Sequence, residues 1–205
     1  PGFMDLTDYR LEEVEGGANW DDMVEASEQG TIFSLTIYLE NLLDCRPRRW
    51  ICLKGDEPKA GLIVMESVDQ VSCVQVHEVI HSGILFRPPP ENQSNAQSIA
   101  EHFRATSYIV SRLVEMYREI VFNTHPSFID LRPFLWHNYG TQGPKFEFHI
   151  RYTSLIDITS LQPGMSLDVN PVYLEASKSR RQEIRYGIKN GVRTCVENDI
   201  AAFMQ

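Results

Sequence analysis

The sequence contains few cysteines and no long hydrophobic segment, and both features narrow the class of protein. Its four cysteines, Cys45, Cys52, Cys73 and Cys195, are irregularly spaced and form no CxxC pair. The spacing predicts neither a zinc knuckle nor a disulfide-rich scaffold. No run approaches the roughly 18 apolar residues that a membrane helix needs, and no charged start leads into an apolar stretch with a cleavage site. We therefore expect free thiols and a cytoplasmic location.

The net charge is negative but unevenly distributed. With 205 residues, 42% of them apolar and 23% charged, the composition is that of a globular protein with one sizeable core. A charge of −9 argues against a general nucleic-acid binder. Six basic and two acidic residues lie between Pro171 and Arg193, however, so this segment carries +4 and the remainder −13. The asymmetry predicts a local site for an anionic group.

The first ninety residues predict two helices followed by an antiparallel sheet. Apolar residues recur at helical spacing, and Gly30 gives a typical helix stop. Two β-rich runs flank a turn-forming segment, Gly55 to Pro58, as in a hairpin, and a longer alternating run follows. The predicted helices cover residues 19–29 and 31–43, and the predicted strands cover residues 50–53, 60–66 and 71–86.

The rest of the chain predicts a long helix, further strands and a basic helix. Apolar and small residues from Ala96 to Ile120 follow a helical period, and a linker rich in Pro, Gly and Ser follows Leu161. In order, we predict a helix at 92–122, a strand at 128–131, an aromatic loop at 132–140, a strand at 146–156, a helix at 172–190, a strand at 192–197 and a helix at 199–204. The fold class is thus α+β, with a mostly antiparallel central sheet flanked by helices.

This order of elements is also that of the GNAT acyltransferase fold, which by itself is an analogy of fold. The segment from Lys178 to Val192 (KSRRQEIRYGIKNGV) resembles the basic helix that ends the first GNAT-like half of FemAB-type peptidoglycan bridge transferases. Gly30 to Ser34 (GTIFS) resembles the opening of that family, and Trp136 to Gly140 (WHNYG) resembles one of its aromatic loops. The short matches together span most of the chain.

The resemblance implies a bacterial-type enzyme that transfers an acyl or aminoacyl group to an amine. In well-known members the donor is aminoacyl-tRNA and the acceptor is a nucleotide-linked cell-wall precursor. We expect a GNAT-like domain at 4–170, because residues 1–3 look like a tag remnant, then a basic connecting helix at 171–191 and the start of a second GNAT-like half at 192–205. This half would recognise the anionic acceptor, and a second half would supply much of the donor site, including any contact with tRNA.

The sequence departs from acetyl-CoA enzymes of this fold at the loop before the long helix. Those enzymes hold the pyrophosphate on backbone N–H groups of a glycine-rich loop at the positive end of that helix. Here the segment from Phe86 to Asn92 contains three consecutive prolines, which lack N–H donors, and the acidic Glu91. We predict that this half binds no acetyl-CoA and needs no cofactor.

On the basic helix, Lys178, Arg181 and Arg185 are candidate substrate-binding residues. Arg181 falls within the apolar stripe of the helix, between positions 174 and 188, and the other two flank it. At a domain boundary an arginine can bind a phosphate or carboxylate through two hydrogen bonds. The competing interpretation is that these side chains lie along the surface and pair with the acidic body.

The aromatic loop and the strand after it provide a second set of candidates, which are Arg132, Asn138, Tyr139 and Tyr152. Aromatic rings combined with a cation and an amide are typical of a cleft that binds a sugar or peptide group. Core packing is the commoner role for Phe134, Leu135 and Trp136.

The segment His77-Glu78-Val79-Ile80-His81 matches the HExxH pattern of zinc peptidases. Histidines four positions apart meet one metal only on a helix, and on a strand they would lie about 13 Å apart. The β-branched neighbours favour a strand, so we predict no metal site and consider a zinc peptidase the weakest hypothesis.

Two questions stay open at this level. The chain could instead be a non-catalytic GNAT-like module that binds an anionic precursor or a partner, and its terminal strand could pair with a second copy to form a homodimer. No catalytic nucleophile or general base can be assigned from the spacing of residues.

Overall fold

The computed structural model describes residues 5–42 and 45–194. Contacts divide the chain into two compact units, residues 1–148 and 149–205. The first unit contains β1 (Tyr9–Val14), α1 (Ala18–Ala26), a 3₁₀ turn (Ile32–Ser34), α2 (Thr36–Leu39), β2 (Arg46–Lys54), β3 (Glu57–Glu66), β4 (Ser72–Val74), β5 (Gly83–Phe86), α3 (Asn95–Met116), β6 (Glu119–Ile120) and α4 (Arg132–Leu135). The second contains a 3₁₀ turn (Leu167–Val169), α5 (Pro171–Glu175) and α6 (Lys178–Lys189).

The sheet of the first unit is mixed, with five strands in the order β1-β2-β3-β4-β6 and β5 also paired to β3. Among the strands that the structure describes, all pairs are antiparallel except β4 and β6. The predicted hairpin is confirmed, because β2 and β3 pair antiparallel around a two-residue connection in which Gly55 has φ +56°. The α+β class is therefore confirmed, whereas the one parallel pair was not predicted.

Helices bury both faces of this sheet. Along β3, Leu62 faces the cluster that contains Ile109 and Leu113 of α3, and the next residue, Ile63, faces the cluster that contains Trp20 of α1. Alternate residues of a strand point to opposite faces, so a strand that is apolar at every position is buried on both sides. The Nε1 of Trp20 donates to the carbonyl of Ser34 at 2.8 Å, which joins α1 to the turn before α2.

Two predicted elements of the first ninety residues are interrupted. The predicted helix at 31–43 is a 3₁₀ turn and the short α2, and residues 43 and 44 lie outside the described residues. The predicted strand at 71–86 is wrong between β4 and β5. There the amide of Gln75 donates to the carbonyls of Val76 and Val79, and Val79 is buried while Ile80 is exposed, contrary to the predicted alternation.

The long helix is confirmed in type but is shorter than predicted. It begins after Ser94, whose hydroxyl accepts from the backbone of Gln97 while the Gln97 side chain accepts from the backbone of Ser94, a capping box. It ends at Met116, and the next residues form β6. Residues 128–131 and 146–156 are not strands, and the loop at 132–140 contains α4.

In the second unit the predicted helix at 172–190 is divided into α5 and α6. The hydroxyl of Ser177 accepts from the backbone N–H of Arg180, so Ser177 caps a new helix instead of continuing the old one. Residues 192–194 are not in a strand, and the other residues of the predicted strand and helix at 192–204 lie outside the described part. Among the described helices, none has the length and hydrophobicity to cross a membrane.

Candidate binding pocket at the start of the long helix

An open pocket of about 690 Å³ lies where the β2–β3 turn, the loop after β5 and the first turns of α3 meet. Its walls combine charged side chains with an apolar proline surface. The lining residues are Lys54, Asp56, Glu57, Pro58, Lys59, Arg87, Pro88, Pro89, Pro90, Gln93, Glu101 and His102.

Three backbone features position these walls. The hairpin register places Lys54 opposite Glu57, which brings both ends of the turn to the pocket. The backbone N–H of Arg87 donates to the carbonyl of Lys59 at 3.1 Å and so holds the loop after β5 against β3. The loop itself is stiff, because each proline of the run Pro88 to Pro90 fixes its φ angle.

The cations of the pocket differ in how far they are neutralised. The Nζ of Lys54 lies 3.2 Å from Glu101 Oε2, and the Nζ of Lys59 lies 2.9 Å from Glu57 Oε1. The guanidinium of Arg87 forms no ion pair or hydrogen bond with the residues that the structure describes. Arg87 is therefore the cation of this pocket that is available to an anion.

The carboxylate of Glu101 is held from two sides, since the hydroxyl of Tyr9 and the Nζ of Lys54 both donate to it. Burial acts to raise the pKa of Glu101, but these hydrogen bonds, with the charges of Lys54 and Lys59, lower it below its usual value. Burial and the same hydrogen bond raise the pKa of Tyr9. Burial also raises the pKa of the neighbouring Cys52 thiol to about 12, so this thiol is neutral and unreactive.

His102 forms the apolar corner of the pocket. Its imidazole ring stacks on Phe86 of β5, with centroids 3.9 Å apart and planes inclined by 4°. Burial lowers the pKa of His102, against the opposing charges of Glu101, Asp130 and Glu28. The ring is therefore neutral at pH 7.

Three of the residues predicted from the sequence lie together on and after α4. Arg132 pairs with Asp130, with Nε and Nη2 at 2.7 and 2.6 Å from the two carboxylate oxygens, and its guanidinium lies over the rings of Phe103 and Trp136. The pair lowers the pKa of Asp130 and raises that of Arg132.

Within the same loop, Asn138 adopts φ +54°, and its side-chain amide donates to the carbonyl of Pro144 at 2.8 Å. Tyr139, in contrast, is 80% exposed. None of Arg132, Asn138 and Tyr139 lines the pocket at α3.

The other four predicted residues belong to the second unit. Tyr152 is 95% exposed and lies outside any helix or strand. Lys178, Arg181 and Arg185 lie on α6, and among the described residues none of the three forms an ion pair. Arg181 is half-buried, and its Nε has no hydrogen-bond partner in the described part of the chain. Substrate binding by all seven residues stays a prediction.

The HExxH segment has neither of the two conformations considered from the sequence. His77 and Glu78 form a turn, and His81 packs edge-on against His125, with ring centroids 5.1 Å apart. His125 Nδ1 in turn lies 2.9 Å from the hydroxyl of Ser127. Within residues 5–42 and 45–194, no group of three or more His, Cys, Asp or Glu side chains is arranged to hold a metal ion.

Sequence reasoning considered the proline loop but missed the charged residues of the pocket. Lys54 and Lys59 lie next to the predicted hairpin turn, and Glu101 and His102 lie within the predicted long helix, but none of the four was predicted to bind substrate. Only the position of these residues could have indicated the pocket. The β2–β3 turn leads into β3, and β5, which runs antiparallel to β3, leads towards α3. The turn and the start of α3 therefore lie at the same end of the sheet. Comparison of the chain with protein-family models, with curated proteins and with solved structures found no match in any of the three.

Proposed function

We propose that the chain is the acceptor-recognising part of a GNAT-like acyl- or aminoacyltransferase of the FemAB type, and that the pocket at α3 binds the anionic group of the acceptor. The observation that carries this proposal is the convergence of Lys54, Lys59 and Arg87 at the start of a 22-residue helix, with Arg87 unpaired among the described residues. A guanidinium that is free to form two parallel hydrogen bonds suits a phosphate or carboxylate.

The arrangement of elements supports the acyltransferase part of the proposal. The antiparallel β2–β3 hairpin, the pairing of β5 with β3 and the long helix directly after β5 agree with the order expected from the resemblance. Transfer to an amine in such a fold depends mainly on orientation of the two substrates and on donors for the developing oxyanion.

The local chemistry at the start of α3 supports an acceptor and not acetyl-CoA. Pro88, Pro89 and Pro90 provide no N–H donors where a pyrophosphate would bind. The capping box of Ser94 and Gln97 already occupies one N–H of the first turn. The pocket therefore binds an anion through side chains instead of backbone N–H groups.

Calorimetric titration of the 205-residue chain tests this proposal, with pyrophosphate, a uridine diphosphate sugar and acetyl-CoA as probes. We expect pyrophosphate and the nucleotide sugar to bind and Arg87→Ala to weaken both about tenfold, the effect of losing one hydrogen bond to a charged group. Arg112→Ala is the matched control, because Arg112 is an exposed residue of α3 whose only ion pair among the described residues is with Glu115. Lys59→Ala, which removes a cation of the pocket, and Lys145→Ala, which removes an exposed lysine outside it, form a second pair of variant and control.

Three outcomes would contradict the proposal. Neither anion binds, or Arg87→Ala and Arg112→Ala weaken binding equally, or acetyl-CoA binds stoichiometrically with micromolar affinity.

A non-catalytic binding module is the second candidate function, which the proline loop also favours. The transferase and the binding module can be distinguished by assaying acyl transfer in a chain that carries a second GNAT-like half, since only the transferase gains turnover.

A further inference from the structure

We propose that His102 is the proton acceptor of the pocket at α3, taking the proton of a bound amine when that amine reacts with an activated acyl ester or thioester. This inference rests on the proposed function, because it assumes that the pocket holds an amine acceptor. It goes beyond that function in naming the group that receives the proton.

The orientation of the imidazole is the first argument. The ring is held parallel to Phe86 at 3.9 Å, so it cannot rotate about the side chain without losing this stack. Phe86 itself stacks on Phe128 at 5.5 Å, which extends the support into the core. In the described part of the chain neither ring nitrogen of His102 has a hydrogen-bond partner, so no structural hydrogen bond occupies them.

A comparison of the titratable groups around the pocket is the second argument. Lys54 and Lys59 are paired with carboxylates. Glu101 accepts from Tyr9 and Lys54, which stabilise its charged form and make it a weak base. The hydroxyl of Tyr9 donates a hydrogen bond to Glu101, and burial keeps this hydroxyl protonated.

His102 differs from these groups because its ring is neutral at pH 7 and because neither ring nitrogen has a hydrogen-bond partner among the described residues. Burial lowers its pKa, while the negative charges of Glu101 on the same helix, Asp130 before α4 and Glu28 after α1 act in the opposite direction. An imidazole in this state can accept a proton near neutral pH, and the same carboxylates then stabilise the imidazolium.

The reaction balances without any further reagent. The amine nitrogen attacks the carbonyl carbon of the ester or thioester and forms the C–N bond. The bond from that carbon to the leaving oxygen or sulfur breaks, and its electron pair stays on the leaving atom. The proton lost by the nitrogen moves to an imidazole nitrogen of His102 and then to the leaving group, so His102 ends neutral.

The experiment is an NMR titration of the His102 imidazole in the intact chain, assigned with His102→Gln. It is recorded for the free protein and with ethyl phosphate or phosphoethanolamine, two probes that differ by one ammonium group. We expect bound ethyl phosphate to raise the pKa of His102. With phosphoethanolamine bound, the pKa of His102 should be lower than with ethyl phosphate by at least about half a pH unit, because the ammonium group lies near the ring. His77→Gln, which changes an exposed turn residue, should not alter either result.

The inference is overturned if the two probes give the same pKa for His102, or if His102 is protonated at pH 7 in the free protein. Affinity for ethyl phosphate, measured for the wild type, Arg87→Ala and His102→Gln at pH 8, separates this failure from failure of the proposed function. Binding that depends on Arg87 but leaves the His102 signal unchanged would refute only the role of His102. Absence of binding, or binding independent of Arg87, would refute both.

Discussion

Arg48 and the buried Glu66 form the central polar contact of the sheet, with Arg48 Nη1 at 2.9 Å from Glu66 Oε1. The residue Glu66 is 2% exposed, and its carboxylate also accepts from the hydroxyl of Tyr117 at 2.9 Å. The opposite edge of the Arg48 guanidinium donates to both carboxylate oxygens of Glu13. These contacts connect β1, β2, β3 and the residue after α3, so a buried charge helps to fix how the helix packs on the sheet.

Arg48→Met should destabilise the protein by about 2–4 kcal/mol, because it leaves the buried Glu66 charge without its main partner. The free energy of unfolding is measured by urea denaturation at pH 7.5. Arg112→Ala, which removes an exposed helix pair, should cost less than about 0.5 kcal/mol. Equal effects of the two substitutions would mean that Glu66 is solvated and that the contact is unimportant.

Gly83→Ala should destabilise the protein by about 2–4 kcal/mol, since it combines backbone strain with overpacking. Gly83 has φ +97°, and a Cβ at this position would lie 2.8 Å from the ring of Phe122. Gly55→Ala is the control, because Gly55 also has a positive φ but has open space around it. It should cost only about 1 kcal/mol.

The double substitution Gly83→Ala with Phe122→Leu isolates the steric part of this effect. Its loss of stability should be smaller than the sum of the two single losses, because the shorter leucine makes room for the added methyl group. Strict additivity in urea denaturation would show that backbone strain alone accounts for the cost.

Stability should decrease as the pH falls from about 7.5 to 5.5. Burial lowers the pKa values of His81, His102 and His125 in the folded protein. As the pH falls through about 6.5, the unfolded chain takes up protons on these residues before the folded protein does, which favours unfolding. Urea denaturation at several pH values should show the trend, and His102→Gln should reduce it. A constant or rising stability across this window would contradict the burial of these rings.

The elements that sequence reasoning predicted correctly are those fixed by short-range chemistry. Gly55 allows the tight hairpin, and the helical period of apolar residues predicted α3, although only part of the predicted stripe is buried, including Val110 and Leu113 but not Ile99. The prediction of a strand at 146–156 was wrong because a strand forms only where another strand offers hydrogen bonds, and no described strand pairs with this alternating segment. The break at Ser177 was not predicted, because the spacing of apolar residues between positions 174 and 188 was interpreted as one continuous helix.

The site was harder to predict than the fold because it depends on which ends of the elements meet. Lys54 and Glu101 lie 47 positions apart in sequence, but Lys54 Nζ is 3.2 Å from Glu101 Oε2, and no local pattern links them. The composition of the aromatic loop indicated a binding site, yet the guanidinium of Arg132 already pairs with Asp130, two residues away. Local composition identifies candidate residues, but only the fold shows which of their groups are already paired.

Arg132 and Arg181 should therefore respond differently to substitution by alanine. Arg132→Ala removes the pair with Asp130 and the contacts with Phe103 and Trp136, so it should lower the thermal unfolding temperature. Arg181→Ala removes a guanidinium without an ion pair among the described residues, and it should leave that temperature unchanged. If Arg181 binds the acceptor as the sequence predicts, its substitution weakens binding of the nucleotide sugar without this loss of stability. Unchanged affinity together with unchanged stability would mean that the Arg181 guanidinium contributes neither to binding of the acceptor nor to stability.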